Sequence, residues 1–204
     1  MVEVKPKAKT NREVGIDLGI KDNIVTSDGY HSGAPKNTNK YARKLASLQR
    51  GLNRKTNGSN NYEKQRLKVA RVHEKIINCR RDRQHKLTTK LVEDYDIIYI
   101  EDLNVSGMLK NRKLAKAVAD VGMFEIKRQL LYKAEWYGKQ IHLIDRWEPT
   151  SKKCSNCQKI HDMKLSDRSM SCECGLMLDR DENAAINILK AWKVLGDGAA
   201  KTTG

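Results

Sequence analysis

The sequence predicts an α/β fold built on a mixed sheet. Three observations carry this. Short apolar runs of strand length occur at 13–20, 96–101 and 141–145, apolar residues recur at helical spacing between them, and the two patterns alternate along the chain. A length of 204 residues suits one domain with a small appendage. With 39% hydrophobic residues and a mean hydropathy of −0.71, the core is modest. One Phe, three Trp and seven Tyr make it largely aliphatic.

The elements follow in order. EVGIDLGI (13–20) reads as a buried strand around one carboxylate, Asp17. NIVTS and the Asp28-Gly29 turn signal then suggest a hairpin. From Thr38 the period becomes helical, with Tyr41, Leu45, Leu48 and Leu52 on one side, until the polar break NRKTNGSNN (53–61). A long helix is expected from about Tyr62 to Tyr95, its apolar side formed by Val69, Val72, Ile76, Cys79, Leu87 and Leu91. Residues 96–101 fit a central strand ending in Glu101. A helix over 113–137 carries Leu114, Val118, Val121, Phe124, Ile126, Leu130 and Leu131, with Gly122 as an interruption and Gly138 as its end. IHLID (141–145) is another strand, 152–176 a cysteine-bearing loop region, and about Asp181 to Leu195 a closing helix. The small-residue tail 196–204 is expected to be disordered.

Charge narrows the function. The net charge is +15, and it is not spread evenly. Residues 36–90 hold 17 Lys and Arg against three acids (Glu63, Glu74, Asp82), whereas the remainder holds 23 basic and 22 acidic residues. A solvated helix face would mix its signs. A one-sign stripe repels itself unless a polyanion neutralises it and releases counterions. The basic helical hairpin 36–95 is therefore expected to bind nucleic acid, with Arg54, Lys55, Arg66, Lys68, Arg71, Arg80, Arg81 and Arg83 as candidate contacts. No apolar run approaches the roughly 18 residues of a membrane span, and the N-terminus lacks an apolar signal core. A secreted or membrane protein is excluded on this reading, leaving a cytoplasmic, nucleoid-associated one.

Four of the five cysteines form C-x-x-C and C-x-C pairs: Cys154, Cys157, Cys172 and Cys174. The polar spacer between the pairs cannot hold itself together by burial, so structural Zn²⁺ would supply the folding energy directly. Disulfides compete, but nothing points to an oxidising compartment. His161 lies close enough in sequence to substitute for a ligand; four thiolates complete a tetrahedron without it, so a surface position is expected. Cys79 reads as a buried thiol of the long helix.

Three carboxylates need explaining. Asp17 sits mid-strand, Glu101 ends a strand, and Asp181 opens the last helix. Singly, each has an ordinary explanation: a buried ion pair, a surface charge, a helix cap. Together they suit hard divalent cations such as Mg²⁺, which prefer oxygen ligands. Beside a basic surface, that points to phosphodiester chemistry.

GIDLGI (15–20), YIEDLN (99–104) and CSNC…CECGLMLDRDENAAINIL (154–189) resemble the three RuvC-type motifs and the zinc ribbon of the TnpB family of insertion-sequence proteins, relatives of the type V CRISPR effectors. RLKVARVHEKI (66–76) and DRWEPTSKKCSNC (145–157) are also similar. The resemblance implies an RNase H-like (RuvC) mixed sheet flanked by helices, with core 1–151, inserted zinc ribbon 152–176 and a completing helix 177–195. It further implies a Mg²⁺-dependent DNA endonuclease guided by RNA, with Asp17, Glu101 and Asp181 as its metal-binding catalytic residues. Full-length members carry an N-terminal wedge and recognition lobe. Here VEVKP resembles the end of that wedge, so a separate N-terminal half is an expected partner. The alternative function is a nucleic-acid-binding fragment that regulates without cutting.

Overall fold

The computed structural model describes residues 5–34, 37–164 and 167–195. The tail 196–204, expected to be disordered, lies outside the described residues. Contacts divide the chain into two compact units, Met1–Ala34 with Leu87–Gly204, and Pro35–Lys86.

In the first unit, strands β1 (Glu13–Asp17), β2 (Val25–Thr26), β3 (Ile97–Glu101) and β4 (Gln140–Ile144) form a sheet in the order β2-β1-β3-β4. β1 pairs antiparallel with β2 and parallel with β3, and β3 pairs parallel with β4, so the sheet is mixed. The Asp28-Gly29 turn forms as read: Gly29 N donates to Thr26 O at 3.0 Å, and Val25 bridges His31. The helices of this unit are the end of α2 (Asn60–Asp94), then α3 (Val105–Lys110), α4 (Ala115–Val121), α5 (Met123–Tyr137) and α6 (Arg180–Leu195). Strands β5 (Ser169–Ser171) and β6 (Met177–Asp179) make a small antiparallel pair, which carries the cysteine segment past its expected boundary at 176.

Period-two alternation gives the sheet two apolar faces. Val14, Ile16, Ile98 and Ile100 are buried against Leu87, Leu91 and Val92 of α2 and Ile126 and Leu130 of α5. Tyr99 and Ile144, on the other face, meet Ile188, Leu189 and Trp192.

Two residue readings are corrected here, those of Phe124 and Cys79. The interruption expected at Gly122 divides the helix read over 113–137 in two, because Gly122 adopts a left-handed φ of 68° that ends α4 and restarts the chain as α5. The restart shifts the helical phase: Met123, Ile126 and Leu130 turn inward, and Phe124 is left 66% exposed. α3 has no counterpart in the sequence reading; its Val105 and Met108 pack against the core while only partly buried, and Asn104 starts it by accepting from Gly107 N. Cys79 is half-buried rather than buried.

A polar clasp ties the start of the sheet. Asp96 accepts from the backbone N–H of Thr10 and Asn11, and its other oxygen takes Lys139 Nζ, which also donates to Ala8 O. The Lys139 side chain is 1% exposed, and Asp96 is its ion-pair partner.

The second unit holds α1 (Asn37–Asn53) and the first part of α2. Val72 and Ile76 are buried, Gln65 Nε2 donates to Leu48 O at 2.9 Å, and Ser59 Oγ accepts from Tyr62 N to start α2.

Two tests follow from the packing. A Cβ at Gly15 would lie 2.1 Å from Ala185 O and 2.7 Å from Leu189 N, so Gly15→Ala should cost about 3 kcal/mol or more by overpacking, read as a lowered urea midpoint. The Lys139 hydrogen bond holds Asp96 down at about 2, below its ordinary 3.8. A lowered carboxylate stabilises the fold above the ordinary value and ceases to do so as pH falls through the folded one. Urea midpoints should therefore drop between pH 3.8 and about 2, and Asp96→Asn should flatten that limb.

Candidate active site and metal centre

The parallel register of β1 and β3 ends with Ile16 beside Ile100, so Asp17 and Glu101, the last residues of the two strands, lie at the same end of the sheet. Both end their strands and both point to the face covered by α6. Asp181 stands in the first turn of α6, where a Cβ on Gly19 would lie 4.0 Å from its Oδ2. The three carboxylates named from sequence thus come from two strands and one helix to one end of the sheet.

Their electrostatics differ. Burial, then the charges of Glu101 and Asp181, push Asp17 up to about 8, opposed by Arg180. Burial also raises Glu101, with the Thr150 hydroxyl donating to its Oε1 and pulling the other way. The neighbouring Asp102 is lowered by hydrogen bonds from Lys127 and Arg146. Asp102 is neutralised within the fold; Asp17 is not.

Residues missed in the sequence surround this cluster. Asp179 Oδ1 accepts from Asp181 N at 2.9 Å, so Asp179, rather than Asp181, caps α6, and its other oxygen lies 3.6 Å from Lys21 Nζ. The Arg180 guanidinium donates to Lys164 O and Asp167 O and reaches Ser151 Oγ. Asn183, fully buried, accepts from Ser155 N and donates to Lys153 O. Asn187 donates to Thr150 O and Lys153 O, and Lys190 to Ser155 O. Two Asn four apart on one helix face was the available sign. Thr150 left none, because its partner lies 49 residues away.

Cys154, Cys157, Cys172 and Cys174 converge with all four sulfurs within 4.8 Å of one another. Among the described residues this is the one group of His, Cys, Asp or Glu ligand atoms so close; the three carboxylates are more loosely gathered. Sulfur pairs at 3.5 and 3.6 Å are far longer than a disulfide of about 2.05 Å. They approach the edge of about 3.8 Å that a tetrahedron with 2.3 Å Zn–S bonds requires. The set could hold a metal such as zinc. Cys174 is lowered to about 6 by the Leu176 N–H and the Asn156 amide, which favours its thiolate. His161 is not a surface bystander: it is half-buried, with Nε2 3.2 Å from Cys172 Sγ. The spacer is also less polar in structure than in sequence, since Met170 is fully buried.

The basic candidates sit in the second unit. Arg54, Lys55, Lys68, Arg71 and Arg81 are exposed. Arg66 is exposed but bridged to Glu63 at 2.7 Å, and Arg80 and Arg83 are half-buried.

Against known families, residues 1–112 match the OrfB_IS605 model, described as "Probable transposase". The chain belongs to the OrfB_IS605, or TnpB-like, transposase family. Residues 124–188 match the Cas12f1-like TNB domain. Two similar bacterial proteins carry the name "Putative RNA-guided DNA endonuclease": one from Streptomyces pristinaespiralis is 43% identical over 96% of this chain and 50% of its own length. The other, InsQ of Escherichia coli K12, is 36% identical over 87% of this chain and 48% of its own. The chain therefore spans about half the length of these curated relatives. The fold is similar to that of Cas12f1, solved by cryo-EM with sgRNA and target DNA. The TM-score is 0.61 at 19% identity, covering 86% of this chain and 48% of that one. Among the described residues no helix is long and apolar enough to cross a membrane.

Proposed function

We propose that this chain is the RuvC-type, RNase H-like nuclease half, with its zinc ribbon, of a TnpB-like RNA-guided DNA endonuclease. The observation that carries the reading is the convergence of Asp17, Glu101 and Asp181, with Asp17 raised to about 8 against only the Arg180 charge and the Leu18 N–H. Three carboxylates with so little compensation fit a divalent cation, and oxygen donors fit Mg²⁺. When bound, Mg²⁺ would activate the attacking water and stabilise the leaving oxygen of a phosphodiester. Asp17, Glu101 and Asp181 would hold it. In taking a cation, Asp17 gives up its proton. The Thr150 hydroxyl and the Asp179 cap keep Glu101 and the first turn of α6 in place.

The proposal extends to partners. DNA would be the substrate and a guide RNA the specificity element, with the Pro35–Lys86 unit supplying a basic surface for the phosphate backbone. Guided targeting would require the part of the relatives that this chain does not span. The four cysteines would hold Zn²⁺ in a closed site that positions rather than reacts, and their first knuckle is fixed to α6 through Asn183, Asn187 and Lys190.

Two measurements test this. Asp17→Asn should abolish Mn²⁺ binding in calorimetry and any Mg²⁺-dependent DNA cleavage, while DNA affinity stays within about twofold because the basic surface is untouched. Retained Mn²⁺ binding or cleavage in that variant would refute the carboxylate assignment. The purified chain should release one zinc to a chelating dye, and Cys154→Ser should lower that stoichiometry and the Tm together. Metal-free protein of unchanged Tm would exclude structural zinc.

A further inference from the structure

The Pro35–Lys86 unit contains more than a charged surface. A hollow of about 340 Å³ opens between α1 and α2. Its floor is apolar: Tyr41 and Leu48 from α1, and Val72, 7% exposed, from α2. Its rim is cationic: Lys44 from α1, and Lys68, Arg71 and Lys75 from α2. Neither helix needed to place these groups together. Tyr41, Lys44 and Leu48 recur at three- and four-residue steps, as do Lys68, Arg71 and Lys75, so each helix turns one mixed face to the hollow.

The rim cations differ from their neighbours. Arg66 is spoken for by Glu63 and Lys86 by Asp82. Lys44, Lys68 and Arg71 pair with no acid among the described residues, and no acid lines the hollow. Lys75 Nζ lies 5.9 Å from the Tyr41 ring centroid and Lys40 Nζ 5.8 Å from it, so the ring is already flanked by positive charge. Like charges at helical spacing repel each other, a cost that an anionic ligand removes. An inorganic anion would have no use for the aromatic floor, and an apolar ligand none for the rim. A nucleotide uses both, stacking its base on an aromatic ring while cations take its phosphates. The volume is near the lower end of the roughly 300–1,000 Å³ of small-ligand pockets. A paired base, stacked inside a duplex, cannot enter it.

We propose that this hollow binds one unpaired nucleotide of a nucleic-acid strand, its base against Tyr41 and its flanking phosphates among Lys44, Lys68, Arg71 and Lys75. The proposal rests on the nucleic-acid reading above and deepens it, from a surface that attracts backbone to a site that holds a base.

The test uses the full chain in buffer without chelator and without added Mg²⁺ or Mn²⁺, so that the zinc stays bound and cleavage plays no part. Fluorescence anisotropy would compare a homopolymeric oligothymidylate, the matching oligouridylate and an abasic strand of equal length. Tyr41→Ala, which changes no charge, should weaken binding of a base-bearing strand about tenfold and leave the abasic strand within about twofold; Tyr41→Phe should restore it. Dependence on Tyr41 with the deoxy strand, the ribo strand or both supports the site and says which strand it serves. Loss of affinity for abasic and base-bearing strands alike, or for neither, overturns it. Because Tyr41→Ala could disturb the unit, wild-type protein should also be photocrosslinked to strands carrying 4-thiothymidine or 4-thiouridine. Crosslinks within 41–48 or 68–75 support the pocket, and crosslinks confined to other segments overturn it. Wild-type protein that binds no strand at all would sink the nucleic-acid reading itself, whereas binding indifferent to Tyr41 sinks the pocket alone.

Discussion

The close approach of α6 to β1 over Gly15 is the constraint on which the rest of this structure depends. With hydrogen in place of a side chain, the strand lets the helix backbone at Ala185 and Leu189 lie directly upon it. That contact fixes the helix in height and in rotation. Asp181 then falls one turn nearer the strand ends, beside Gly19 and within electrostatic reach of Asp17. On the same helix, Asn183, Asn187 and Lys190 reach the carbonyl and amide groups of 150–155, so the first cysteine knuckle is set by the same contact. Ile188 and Trp192 close the apolar face over Tyr99 and Ile144. A residue with a Cβ at 15 would move all of these together, because one rigid helix carries them.

Sequence reading reached the parts of this arrangement that rest on local pattern. The strands at 13–17, 97–101 and 140–144 are runs whose apolar character leaves little choice but a central sheet. The cysteine spacing declares a ligand set because few other arrangements require two close thiol pairs. What it could not reach depends on contacts distant in sequence or on phase. Phe124 looked like a core residue until the left-handed Gly122 rotated its helix. His161 looked peripheral until the fold of the spacer brought it to Cys172. Thr150 and Asn187 are ordinary polar residues in the sequence, and only the fold shows which carboxylate or carbonyl each one satisfies.

Family membership and geometry contribute different things. The matched families explain why this order of motifs occurs in one chain, and the similarity to Cas12f1 concerns the fold alone. Neither explains why particular side chains stand where they do. The Asp179 cap is a physical requirement of α6: backbone N–H groups at a helix start lack partners within the helix, and a carboxylate accepts from one of them. Asp179 serves the helix, which leaves Asp181 available to the site.

The contrast between Asp17 and Asp102 carries the argument about that site furthest. The chain holds 40 Lys and Arg against 25 acids, so cations for neutralising a carboxylate are not scarce. Asp102, on the face of the sheet toward α5, receives two of them, Lys127 and Arg146, and titrates below its ordinary range. Asp17, on the α6 face, has two acids for neighbours, and its one opposing cation, Arg180, already donates to carbonyls elsewhere. A buried carboxylate in that position must hold a proton or find a positive charge. Nearby cations could have been placed there at little cost, as Asp102 shows. Arg180 is the one cation among the described residues that opposes the two acids at Asp17, and that imbalance, in a chain so rich in cations, is the reason for proposing a divalent cation there.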